Sequence, residues 1–221
     1  MTDAQTPDSP APVRTDVRLF FAVELGPEVR QRVAELASRL QKAAIFTPVR
    51  LSWVKPENYH ITLFFLGDVP KDRAEKLARV LPDVARGLPC FDLDIRHLGT
   101  FPESGNSPPK VLWMDCHRVS PTLLKLREQC AKAIQRANLK VPDQDFSPHV
   151  TIARFKSTKG LREFSRLMKD YLHYKAGKCQ VNRIVLMESR TGGGEATYVP
   201  YASALLDPPL DPVSHEEDDE S

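Results

Sequence analysis

Long apolar runs are missing from this sequence. No stretch of its 221 residues approaches the run of about 20 apolar residues that a membrane-spanning helix needs. The first residues carry no apolar segment of signal-peptide type, so a soluble, cytoplasmic protein with no membrane partner is expected. Cysteine is scarce: Cys90, Cys116, Cys130 and Cys179 are the only four. No two of them form a C-x-x-C pair, which argues against zinc-ribbon and thioredoxin-like chemistry and for free thiols. An H-E-x-x-H metal motif is also lacking.

Charge is present but unevenly distributed. The formal net charge is only +2. Residues 207–221 hold seven acids and no Lys or Arg, and residues 1–16 hold three acids and Arg14. Residues 17–206 therefore carry 30 basic and 19 acidic residues, a net charge of +11. Such a body suits an anionic ligand such as a nucleic-acid backbone, although solubility alone also accounts for it. Residues 1–16 are Pro-rich with few apolar groups to offset ordering entropy, so a disordered tail is expected there, and a disordered acidic tail over 207–221. A single domain is expected over 17–206.

Val17–Val23 is an apolar, β-branched and aromatic run that reads as a buried strand. Pro27 suits a first helical turn, and Val29, Val33, Leu36 and Leu40 mark a helix to about Ala44. Leu51–Val54 is short and extended, and Tyr59–Leu66 is a strand. A helix follows from about Pro70 to Arg86, and then a strand over Phe91–Ile95. A loop from Gly99 through Pro109 leads to a returning strand at Val111–Met114, making residues 91–115 a long-looped hairpin. Pro121 opens a third helix with a stripe of Leu123, Leu126, Cys130, Ile134 and Ala137. A shorter helix around Leu161–Met168, a strand over Val181–Glu188 and a closing strand over Tyr198–Leu206 complete the chain. The order is strand, helix, strand, helix, hairpin, then helix, strand, helix, hairpin, so the second half loosely repeats the first.

Two strands share a pattern. His60-Ile61-Thr62-Leu63 and His149-Val150-Thr151-Ile152 stand 89 residues apart. Alternation places His60 beside Thr62, and His149 beside Thr151, with the apolar partners facing a core. The repeat suggests two similar lobes facing each other across a cleft. A histidine pair supplies a general base and a general acid near neutral pH, because free imidazole titrates at about 6.5. Two hydroxyls on the same faces can donate to an anion held between the rings. The set suits metal-free attack on a phosphodiester. A lone strand histidine is more often structural, and a zinc pair has no accompanying carboxylate at ligand spacing. His97, His117, His173 and His215 have no Thr two residues on and read as surface or structural. Arg154 lies five positions after His149, on the opposite face by strict alternation, so a direct role needs the strand to end or bulge. Phe20 and Trp53 read more readily as core than as base-stacking platforms.

In these surroundings the chain resembles the two-histidine (2H) phosphoesterase superfamily, and within it the bacterial RNA 2′,3′-cyclic phosphodiesterase branch, also called 2′-5′ RNA ligase. The likeness rests on Arg18-Leu19-Phe20-Phe21-Ala22, Trp53-Val54, Glu57-Asn58-Tyr59-His60-Ile61-Thr62-Leu63, Phe65-Leu66-Gly67, Phe101-Pro102, Val111-Leu112-Trp113, Phe146 through Arg154, Glu188-Ser189 and Tyr198. It implies an α+β, bilobal fold: two antiparallel sheets with flanking helices, pseudo-twofold about a central cleft. It implies a monomer that needs no cofactor or metal. Its activity would be hydrolysis of RNA 2′,3′-cyclic phosphate ends to 2′-phosphomonoesters, with reversible 2′-5′ ligation as a secondary reaction. By this resemblance His60 is the proton donor, His149 the proton acceptor, Thr62 and Thr151 the phosphate ligands, and Arg154 and Phe20 substrate contacts. Two alternatives stay open: a non-catalytic module that binds RNA ends, and a 2H enzyme acting on small cyclic nucleotides or 2′-5′ oligonucleotides.

Overall fold

Nine strands and four helices alternate along the chain in a computed structural model that describes residues 16–102, 107–192 and 195–208. They are β1 (Asp16–Glu24), α1 (Pro27–Ala44), β2 (Arg50–Trp53), β3 (His60–Pro70), α2 (Lys71–Ala85), β4 (Phe91–Phe101), β5 (Val111–His117), α3 (Pro121–Arg136), β6 (His149–Ser157), α4 (Leu161–Met168), β7 (Lys175–Val181), β8 (Arg183–Gly192) and β9 (Glu195–Leu205). Helix starts follow local chemistry. Pro27 fixes the first turn of α1. The Ser120 hydroxyl accepts from the Thr122 N–H at 3.2 Å, ahead of Pro121 in α3.

The strands are antiparallel throughout, in the order β7-β4-β5-β6-β3-β1-β8-β9, with β2 on β6. This is an α+β fold built from two halves, the four strands β3-β1-β8-β9 and the five strands β6-β5-β4-β7 with β2. The two sheets expected from the sequence meet at one rung, Ile61 opposite Val150, and become continuous there. The halves are also interlaced along the chain. The 91–115 hairpin, which the sequence order assigned to the first repeat, is β4-β5 and sits beside the second tetrad strand. Helix α1 follows β1 yet packs on β7 and α4, while α2 packs on β8, β9 and α3. Strand β7 was not expected. Its sequence, KAGKCQV, buries only Ala176 and Val181, too sparse a pattern to read as a strand.

One face of the sheet meets the helices. Leu19, Phe21 and Val23 of β1, Ile61 and Leu63 of β3, and Val150 and Ile152 of β6 join the stripes Val29, Val33, Leu36 and Leu40 of α1 and Leu123, Leu126, Cys130 and Ile134 of α3 in one core. Each such buried side chain contributes about 1.5–3 kcal/mol. The other face carries a small cluster of Phe20, Ala22, Val185 and Met187, and the two histidines stand on this face.

Beyond the single rung the seam is held by side chains. The Gln144 amide pairs with the Phe65 backbone as a peptide group would, accepting from its N–H at 3.4 Å and donating to its carbonyl at 3.2 Å. Arg127 lies over the rings of Phe64 and Phe146 at 4.2 and 4.7 Å and donates to the Gln144 carbonyl at 2.8 Å. The expected edges need two small corrections. Asp16 already pairs in β1 opposite Pro70. Asp207 belongs to the fold and not to a tail: its backbone pairs with Leu88 and Cys90, and its carboxylate accepts from the Gly87 N–H at 2.9 Å. The rest of both expected tails lies outside the described residues, Pro208 excepted. Among the described residues, no helix is long and apolar enough to cross a membrane.

Candidate active site

Each tetrad strand carries an extra residue at the same place. In β3, Ala22 faces Thr62 but Phe21 faces Phe64, so Leu63 is skipped. In β6, Trp113 faces Thr151 but Leu112 faces Ala153, so Ile152 is skipped. Both bulges fall three positions after the histidine, and both put two successive residues into the core: Leu63-Phe64 and Ile152-Ala153. The side-chain alternation therefore changes phase. Arg154, five residues after His149, comes onto the histidine face, as does Phe65, five residues after His60.

His60, Thr62, His149, Thr151 and Arg154 converge on one cavity of about 230 Å³. Val54, Asn58, Phe65, Phe101, Val111 and Tyr198 complete its walls. Each imidazole is oriented from behind. The Nδ1–H of His60 donates to the Asn58 carbonyl at 2.7 Å, and that of His149 to the Ser147 carbonyl at 2.6 Å. This fixes one tautomer and leaves Nε2 for the cleft. The Thr62 hydroxyl donates to Nε2 of His60 at 3.0 Å. Among the described residues, Thr151 makes no matching bond to His149.

The rings rest on aromatic neighbours. His60 sits 4.9 Å from the Phe20 ring and 5.3 Å from Tyr198, and His149 sits 5.0 Å from Phe101 and 6.4 Å from Trp113. Trp113 lies flush against Gly99, where a Cβ would come within 2.4 Å of the indole, so a side chain there would push the ring out of place. Burial pushes the pKa of His60 down to about 4, with the charge of nearby His149 and Arg154 adding to the effect against the Asn58 hydrogen bond. Burial also lowers the pKa of His149, and Arg154 lowers it further. The protein's own groups thus favour two neutral imidazoles. An anion held between the rings would favour the charged form of either.

All six residues singled out in the sequence border this region. Phe20 differs in manner from the other five. It is 1% exposed, packed under His60, Phe65 and Tyr198, and it backs the site more than it presents a surface to a ligand. The exposed aromatic is Phe65, at 50%. The sequence reading missed Phe65, Asn58, Phe101 and Tyr198 as cleft residues. A signal existed for Phe65: it stands at the same offset from its histidine as Arg154, after the same apolar pair. His97, His117 and His173 gather outside the cleft, with ring centroids 5.5 Å apart for His97 and His117 and 5.8 Å for His97 and His173. His215 lies outside the described residues. Among the described residues, no group of three or more His, Cys, Asp or Glu is placed to hold a metal ion. All four cysteines are free, and burial pushes the Cys116 thiol up to about 12.

This geometry coincides with a family assignment. The sequence pattern of the 2′-5′ RNA ligase superfamily matches residues 52–193, a span that holds both tetrads, both bulges and Arg154. The chain belongs to this superfamily. Similar members include the RNA 2′,3′-cyclic phosphodiesterase of Aquifex aeolicus, 32% identical over 162 residues that cover 71% of this chain and 82% of the relative. The protein of the same name from Methanothermobacter thermautotrophicus is 27% identical over 173 residues, covering 78% and 90%. Among solved structures, the TT0787 protein of Thermus thermophilus superposes with a TM-score of 0.69 at 25% identity, covering 86% of this chain and 97% of that one. The E. coli LigT structure with 3′-AMP shares the fold, with a TM-score of 0.68 at 22% identity over 86% and 98%. The superfamily's 2H phosphoesterase architecture is thus the fold of this chain.

Proposed function

We propose that this protein is an RNA 2′,3′-cyclic phosphodiesterase, opening the cyclic phosphate at RNA ends to a 2′-phosphomonoester by two-histidine general acid–base catalysis without a metal cofactor. The observation that carries the reading is the convergence of two backbone-oriented imidazoles, two hydroxyls and one guanidinium on a single small cavity. The name shared by several relatives supports the same substrate.

In this reading Nε2 of His149 takes a proton from water as the water oxygen bonds to phosphorus. The P–O3′ bond breaks, and Nε2–H of His60 gives its proton to O3′. The phosphate stays on O2′, and the two rings exchange their protonation states with solvent before the next turnover. Thr62, Thr151 and Arg154 donate to the non-bridging oxygens, where charge builds. The substrate's negative charge offsets the burial that holds the His60 pKa down and lets the ring take up the proton it then gives to O3′. A ribose 5′-hydroxyl in place of water would give a 2′-5′ linkage by the same displacement.

The deciding experiment supplies RNA ending in a 2′,3′-cyclic phosphate and identifies the product. The expected product is a 2′-phosphate. A 3′-phosphate would overturn the assignment of the leaving oxygen, and binding without turnover would favour a non-catalytic end-binding module. Preferential opening of a free cyclic mononucleotide or of a 2′-5′ oligonucleotide would move the substrate class.

A further inference from the structure

The central cavity does not end at Arg154. Two further depressions open from it, and both share Arg154 and Tyr198 with it. One, of about 330 Å³, adds Arg18, Phe20, Gly67 and Ser189 and is bounded by Phe65. The other, of about 170 Å³, is lined by Ser52, Trp53, Lys55, Asn58, Arg154 and Lys156. The bulge at Ile152 creates the second one. Past it, Arg154 and Lys156 share a face with His149 and Thr151, so β6 presents His, Thr, Arg and Lys in line. On β3 the matching line runs His, Thr, Phe until a second bulge at Leu66 shifts the phase again, and β3 carries no cation beyond the tetrad. The two halves thus extend the site in chemically different directions.

We propose that the depression beside Arg154 is a subsite for the phosphodiester that precedes the terminal cyclic-phosphate nucleotide, with Lys156 its principal charge and Ser52 a hydroxyl donor to it. The proposal rests on the catalytic reading above and adds to it the contact by which an RNA end is preferred to a free cyclic mononucleotide. Arg154 and Lys156 are two strand residues apart, about 6.6 Å along β6. One ribose spans a comparable distance between successive phosphates, so the guanidinium can face the reacting phosphate while the ammonium meets the next one upstream. Ser52 faces Arg154 across the β2–β6 ladder and places its hydroxyl on the same rim. Lys156 is exposed, as a contact screened by salt requires.

The test compares a nucleoside 2′-monophosphate with the corresponding 2′,5′-bisphosphate by titration calorimetry on the full chain, which needs no turnover. The 5′-phosphate is expected to tighten binding about fivefold, the upper range for an exposed ion pair. The advantage should shrink with added salt. In Lys156→Ala the ratio between the two ligands should fall to about one, and in Lys156→Glu below one. Equal affinity of both ligands for the native protein, or an advantage that survives in both variants, overturns the subsite. A parallel assay on a dinucleotide ending in a cyclic phosphate reports on the catalytic reading alone. Failure to open it removes that reading, while the calorimetric ratio still decides the subsite.

Discussion

The two halves of this molecule share a backbone plan and differ in what they do with it. Each has a histidine at the start of a seam strand, a threonine two residues on, a bulge at the third residue and a cleft-facing side chain at the fifth. On the β3 side the fifth side chain is Phe65, the ring is bonded to Thr62, and the pKa is driven down to about 4. On the β6 side the fifth is Arg154, and Thr151 is left to meet a ligand. Pseudosymmetry therefore supplies matched positions, and the side chains divide the labour. One half holds a desolvated, strongly acidic imidazole among aromatics. The other holds a guanidinium and, beyond it, Lys156.

The sharpest test of that division removes each imidazole in turn. His60→Ala and His149→Ala should each lower kcat for cyclic-phosphate opening by about 10²–10⁴. Full activity in either variant would break the comparison outright. The three proposed phosphate contacts come next. Thr151→Ala and Arg154→Ala should each cost about 10–100-fold in kcat/KM, the worth of a hydrogen bond to a charged group. Thr62→Ala should cost a similar factor and in addition change the pH profile, because it frees Nε2 of His60. Equal profiles for the two threonine variants would show that the halves are chemically alike after all.

pH separates the halves more gently. Both free-state pKa values lie below 6.5, so the alkaline limb of kcat/KM should fall at lower pH than that of kcat, where the bound anion has raised them. Stability should follow the same groups. A histidine whose pKa is lower folded than unfolded favours the native state fully above the unfolded value of about 6.5, and that stability is lost as pH falls toward 4. A series of Tm against pH should show this loss, and His60→Gln should flatten it more than His149→Gln. The smallest expected effect is that of EDTA, which should leave the rate unchanged.

Much of this was legible in residue patterns, for identifiable reasons. Helical stripes such as Val29, Val33, Leu36 and Leu40 and the doubled H-x-T-x strands bury what their spacing says they bury. The face of Arg154 was not legible by strict alternation, because a bulge shifts the phase at Ile152. The doubled apolar pairs Leu63-Phe64 and Ile152-Ala153 carry the only local sign of it. Tyr198 and Phe101 come from β9 and β4, and no local pattern announces that strands so distant in sequence meet at one cavity. Strand β7 escaped because Lys175, Gly177 and Lys178 leave it almost no apolar signature.

The seam has a mechanical meaning. Among the described residues, Ile61 opposite Val150 is the one backbone rung joining β3 to β6, and the Gln144 amide on Phe65 is the next tie along it. With so few backbone ties across the seam, the spacing of His60 and His149 is carried by the common core beneath the sheet, where α1 packs on β7 and α2 on α3, and by Arg127 held over Phe64 and Phe146.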